Sequence, residues 1–162
     1  MGTHYSPLML KTDTIIETRK TMKQSTEELK TEIVSSDSLE NWSEDKRDSI
    51  DEITLAEYLK RMLETHNISK INVISNAQLD TTYGYQIFQG KKHPSRDILL
   101  KIAFGFPLTV EETNHLLYYG NVGTLYPRVK RDAYIMFALH QKYTVIQTND
   151  YLYEHNEKTL LI

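Results

Sequence analysis

From Thr54 onward the apolar residues recur at helical spacing in short runs separated by polar turns, and hardly anywhere at the alternating spacing of a strand. That pattern excludes a sheet-based fold and predicts an all-α domain. Thr54 stands where a cap belongs, before a helix in which Leu55, Tyr58, Leu59, Met62 and Leu63 share one face and which ends near His66-Asn67. A second helix is predicted from Ser69 to about Asn76, with Ile71, Val73 and Ile74 apolar. Asp80 then caps a third, which stops at Gly90, the residue type that tolerates a left-handed terminator. A fourth begins at Ser95 after Pro94 and carries Leu99, Leu100, Ile102 and Ala103; a fifth runs from Thr109, with Glu112 at capping-box spacing, to Tyr119 before Gly120. Two more are predicted near Pro127 to Gln141 and Val145 to His155. The first of these is apolar around much of its circumference (Val129, Ala133, Ile135, Met136, Phe137, Leu139), which implies burial against the domain, against a second copy, or both.

The stretch before Thr54 has a different texture. Residues 1–50 form a Ser/Thr-rich acidic arm without a sustained core pattern, predicted to be mostly disordered. Its one short helix lies around Ser25 to Val34, where Thr26 precedes Glu27 and Glu28 and where Ser35, Ser36, Asp37 and Ser38 read as a stop. Met22 is a candidate natural start. The expected organisation is therefore this arm (1–50), a central helical domain (51–120) and a helical C-terminal extension (121–162) that packs on the domain or forms a dimer interface.

Charge follows the same division. The formal net charge is −3, but residues 1–53 hold 7 basic and 12 acidic side chains (−5), residues 54–105 hold 7 and 4 (+3), and residues 106–162 hold 5 and 6 (−1). Charge acts locally, so the basic middle third can meet a polyanion even though the chain as a whole is acidic. The 162 residues contain no cysteine, which excludes disulfides, thiolate catalysis and cysteine-based zinc fingers. No apolar run approaches the roughly 20 residues of a membrane span, and the N-terminus lacks the pattern of a signal peptide. A cytoplasmic protein without a membrane partner is expected.

Enzyme signatures are missing. His4, His66, His93, His115, His140 and His155 are spread singly, without metal-ligand spacing, and no phosphate-binding loop, dinucleotide fingerprint or nucleophile elbow occurs. Gly120-Asn121-Val122-Gly123 matches the GxxG of an RNA-binding KH loop, but that fold needs strands, and the segment reads as a helix end and a turn. No catalytic residue, metal or cofactor is assigned.

The succession of helix, short turn, helix, four-residue turn, helix, then Gly90-Lys91-Lys92-His93-Pro94-Ser95 and a further helix carries a family resemblance. Residues 54 to about 117 resemble the Cro/C1-type, lambda-repressor-like (XRE) helix-turn-helix domain of small bacterial and phage regulators. Ile68-Ser69-Lys70, Gly90-Lys91-Lys92, Pro94-Ser95 and Leu99 to Ala103 fall in its register without a gap. Thr82 to Lys91 and Pro94 to Asp97, with Leu125-Tyr126-Pro127 and Arg131-Asp132-Ala133, look like a narrower group of Firmicutes proteins with a helical C-terminal extension. Residues 1–50 lie outside the resemblance.

The resemblance implies a sequence-specific regulator of transcription that binds duplex DNA. The helix Asp80–Gln89 would lie in the major groove while the preceding helix crosses the phosphate backbone. Thr81, Thr82 and Gln86 take the base-reading positions, Gln being matched to adenine and Thr to several bases. Tyr83 and Tyr85 are candidate aromatic contacts to DNA or to another protein. Lys70, Gln89, Lys91, Lys92 and Arg96 take the phosphate-contact positions, which set register without reading sequence. A homodimer would fit a two-fold operator with half-sites about one DNA turn apart.

The family prefers Ala, Gly and Ile or Val where this chain has Ile74, Gln78 and Gly84. The first and third of those positions touch across the two helices in the family, so Ile74 is expected to pack onto Gly84 in a reciprocal exchange of large and small. The rival reading is a protein-binding adaptor on the same scaffold without strong DNA binding. The narrower group is often encoded beside a serine/threonine kinase, and the resemblance thereby makes Thr21, Ser25, Thr26, Ser35, Ser36 and Ser38 candidate phosphorylation sites and the kinase a candidate partner. Phosphate added to the −5 segment would strengthen its competition with DNA for the basic middle third.

Overall fold

The structure, a computed structural model, describes residues 25–45 and 53–161. The chain divides into two units, residues 1–52 and 53–162. Thr21 and Met22, and most of the segment expected to be disordered, lie outside the described residues.

Among the described residues of the first unit there are two helices, α1 (Thr26–Ser35) and α2 (Leu39–Asp45). Ser25 caps α1: its hydroxyl accepts the Glu28 N–H at 3.2 Å, and the Glu28 carboxylate accepts the Ser25 N–H at 2.9 Å. The helix ends at Ser35, within the predicted stop. The sequence predicts one helix here, and α2 is an addition. It starts where the Ser38 hydroxyl accepts the Asn41 N–H at 3.4 Å, and it is joined to α1 by the Trp42 indole N–H, which donates to Glu32 at 3.3 Å. Neither contact has a hydrophobic period behind it, and α1 buries no residue.

The second unit is all-α among its described residues. Its helices are α3 (Leu55–Thr65), α4 (Lys70–Asn76), α5 (Thr81–Phe88), α6 (Arg96–Gly105), α7 (Val110–Tyr119), α8 (Lys130–His140) and α9 (Val145–Glu154). No helix among the described residues is long and apolar enough to cross a membrane. Six of the seven have a side-chain cap at the residue before the helix (Thr54, Ser69, Asp80, Ser95, Thr109 and Thr144), and α8 alone lacks one. Left-handed residues end most of them: Asn67, Gln78, Gly90, Asn121, Lys142 and Asn156 all have positive φ.

Helix α6 is central. Leu99 to Gly105 are buried without interruption, so the helix is enclosed by its neighbours, α4, α7 and α9. Helix α3 bridges α5 and α7, with Leu59 fully buried beneath it. The C-terminal extension belongs to the same core: Ile135, Leu139, Val145 and Leu152 are all buried. At about 1.5–3 kcal/mol for each such side chain removed from water, this burial makes the extension part of the fold. Its last residues are tied down by Asn149, whose Oδ1 accepts the N–H groups of Leu160 (2.6 Å) and Leu161 (3.3 Å).

Two reciprocal ion pairs join the extension to the start of α6. Arg96 holds Asp132 through two bonds of 3.0 and 2.8 Å, and Arg131 holds Asp97 through two of 2.9 and 3.2 Å. Each guanidinium also ties two backbone carbonyls, Gly123 and Thr124 for Arg96, and Lys158 and Thr159 for Arg131.

Elsewhere in the unit α3 is fastened to α7. The Tyr58 hydroxyl donates to the Glu112 carbonyl at 3.0 Å, and His66 Nε2 lies 2.6 Å from Glu112 Oε2. Burial alone would raise the pKa of the Glu112 carboxyl, but bonds from the Thr109 N–H and from His66 outweigh it and hold the carboxyl below its ordinary value of 4.5. A carboxyl depressed in the folded state adds stability that is present above the unfolded value and lost as pH falls through the folded one. Glu112→Gln is therefore expected to flatten the loss of stability below pH 4.5 while weakening the unit at neutral pH. Urea unfolding of both proteins across the acid range checks this, and parallel curves would exclude the role.

Candidate nucleic-acid interface

Helices α4 and α5 are joined by the four residues Ala77 to Asp80. Ala77 is buried and Leu79 half-buried, while Gln78 takes the left-handed conformation (φ +57°) that turns the chain. The turn is closed by the Gln78 N–H on the Ser75 carbonyl (3.0 Å) and the Leu79 N–H on the Ile74 carbonyl (3.2 Å). A glutamine thus performs the turn at the position where a glycine is the unstrained choice.

The expected contact between the two helices is present. A Cβ built on Gly84 would fall 2.6, 2.7 and 2.9 Å from three side-chain carbons of Ile74, so only a residue without a side chain lets α5 approach α4 this closely. Gly84, Ile87 and Phe88 form the buried inner face of α5.

Burying that face decides which residues of α5 point outward. Thr81, Thr82, Tyr85 and Gln89 are exposed and Gln86 is half-buried, giving one uncharged polar face at helical spacing. Asp80 caps the helix by accepting the Tyr83 N–H at 2.9 Å, and the Lys91 N–H returns to the Gln86 carbonyl at 2.9 Å as the chain leaves through Gly90 (φ +79°).

Cations flank this face. The Lys70 ammonium, at the start of α4, lies 5.7 Å from the ring centroid of Tyr85 and 5.9 Å from that of Phe88. Lys91 and Lys92 are exposed just beyond the C-terminal end of α5, and neither is held in an ion pair among the described residues.

Two of the expected contact residues are engaged within the fold. The Arg96 guanidinium is held by Asp132 and by the carbonyls of Gly123 and Thr124. Moving it outward would strand Asp132, which is 5% exposed, without its partner. Tyr83 is half-buried and packs on the core, because it lies on the side of α5 next to Gly84 that faces inward, so only Tyr85 of the two tyrosines stands on the outer face. The ring contacts of Lys70 had no signal in local spacing, since they join residues on two different helices.

No group of three or more metal-ligating side chains occurs among the described residues, and Gly120 to Gly123 end α7 and enter a loop without adjoining strands. No protein-family model, curated protein or solved structure matches the chain.

Proposed function

We propose that this chain is a DNA-binding regulator of the helix-turn-helix type, with α5 as its recognition helix in the major groove and α4 across the backbone. The observation that carries the reading is the uncharged polar face of Thr81, Thr82, Tyr85, Gln86 and Gln89, with Lys70 against Tyr85 and Phe88 in the C-terminal half of the helix and Lys91 and Lys92 past its end. Such an order suits a helix whose N-terminal part meets base edges while cations about its C-terminal end meet phosphates. In this reading the lambda-repressor-like fold covers α3 to α7, the protein acts by occupancy without a reaction, and two copies bind a two-fold site.

Fluorescence anisotropy with short duplex DNA over a salt series tests it. The logarithm of affinity should fall linearly with the logarithm of salt, and Lys91→Glu/Lys92→Glu should reduce the slope by about 2, at about 0.9 for each phosphate no longer neutralised. Failure to bind mixed-sequence duplex even at low salt would favour the adaptor instead. A specific observation supports that second reading: on α8, Phe137 is 44% exposed while its ring meets those of Tyr143 and Tyr151, and on α9 Tyr153 is 77% exposed. Their partner would be a protein, either a second copy of this chain or a kinase.

A further inference from the structure

From Thr81 to Gln89, helix α5 and its C-terminal cap carry no charged side chain. The outward face offers hydroxyl and methyl groups from Thr81 and Thr82, carboxamides from Gln86 and Gln89, and the ring of Tyr85. The charged groups around it are otherwise placed. Arg96 is bound to Asp132, and Lys70 is drawn to the rings of Tyr85 and Phe88. Lys91 and Lys92 lie beyond the left-handed Gly90, past the end of the helix. Asp80 uses one carboxylate oxygen to hold the Tyr83 N–H, at a helix end that favours a negative charge.

The major-groove edges of the bases differ in what they ask for. Guanine presents two adjacent acceptors, best met by the donors of Arg or Lys; adenine presents an acceptor beside a donor, which a Gln carboxamide matches; thymine adds a methyl group that apolar atoms read. Cytosine offers a donor that a carboxylate meets, and no residue from Thr81 to Gln89 carries one. We infer that the exposed face of α5, with two carboxamides, two threonine methyls and an aromatic ring but no cation, selects A·T base pairs in the major groove. This rests on the DNA-binding reading above and narrows it to a class of half-site.

The test compares the full chain on three short duplexes of equal length, built of A·T pairs, of G·C pairs and of inosine·cytosine pairs. Inosine lacks the guanine 2-amino group, so inosine·cytosine looks like G·C in the major groove and like A·T in the minor groove. The expected result is that A·T duplex binds at least about tenfold more tightly than both others, the discrimination of one good base contact. Equal, salt-dependent binding to all three would overturn the inference and leave DNA binding intact. A·T and inosine·cytosine binding alike, both above G·C, would also overturn it, because the preference would then come from the minor groove. No binding to any duplex at low salt would overturn the DNA-binding reading itself. As a second measurement, Gln86→Arg should move preference toward G·C by about tenfold with an unchanged melting temperature; an unchanged preference in a folded variant would count against this face as the reader.

Discussion

Asp132→Ala is expected to destabilise the helical unit by about 3 kcal/mol, a large share of the roughly 5–15 kcal/mol that holds such a domain together. Three bonds converge on this carboxylate, two from Arg96 and one from the Tyr126 N–H at 3.0 Å. Removing it leaves the Arg96 guanidinium, still pinned to the carbonyls of Gly123 and Thr124, without its counter-charge. The figure is set at the low end of the range for a broken buried pair because the Arg96 side chain keeps 27% of its surface in water. The partner clamp should respond less. Asp97 is more exposed than Asp132 and also lies 3.7 Å from Lys158, so Asp97→Ala should cost clearly less. Thermal melts of the two variants give the order directly, with a fall of about 12 °C expected for Asp132→Ala at about 4 °C per kcal/mol. Equal losses, or a larger one for Asp97→Ala, would remove Arg96–Asp132 as the main tie between the extension and α6.

The other large effect concerns the contact of α4 with α5. Ile74, 1% exposed, fills the space that a side chain at position 84 would need, so Ile74→Ala should open a cavity and destabilise the unit by about 2–5 kcal/mol. Gly84→Ile should force the helices apart and cost about 1–3 kcal/mol or more, since the new Cβ would meet Ile74 carbons at 2.6 to 2.9 Å. Combined, the two substitutions exchange the large and small partners and are expected to recover much of what each loses alone. Part of the recovery comes from replacing a helical glycine, which is worth about 0.5–1 kcal/mol. Urea unfolding of the four proteins gives the coupling energy, and losses that simply add would mean that the two positions do not share one volume. A functional consequence follows, since the same contact sets the rotation of α5 and thus which residues face outward.

The two sets of variants probe contacts of different legibility. The Ile74–Gly84 pairing is visible in the chain because the two positions depart together from the pattern of the family that the sequence resembles. The Arg96–Asp132 tie is not, although the dipeptide Arg-Asp occurs at both 96–97 and 131–132. The partners stand 36 residues apart, and nothing in local spacing says that the two dipeptides cross-pair. Arg96 consequently reads as one more cation near Lys91 and Lys92 until Asp132, at the start of α8, claims it. Tyr83 and Tyr85 pose the same difficulty on a smaller scale. Two residues apart on a helix they diverge in direction, and only the burial of Gly84 and Ile87 tells which one faces outward.

What the amino-acid sequence determined by itself is the number and order of the helices in the second unit and most of their ends, α8 starting three residues later than expected, and the concentration of positive charge in the middle third of the chain. Those properties arise from interactions over a few residues: an apolar repeat, a hydroxyl or carboxylate three positions before the N–H it caps, and a residue that accepts positive φ. The tertiary structure alone decided that the C-terminal extension is core, that Arg96 is structural, that Lys70 lies against Tyr85 and Phe88, and that one uncharged face of α5 remains in water. Each of these depends on which surfaces meet, and burial of one helix face leaves the opposite face as the only part of α5 that a partner can touch.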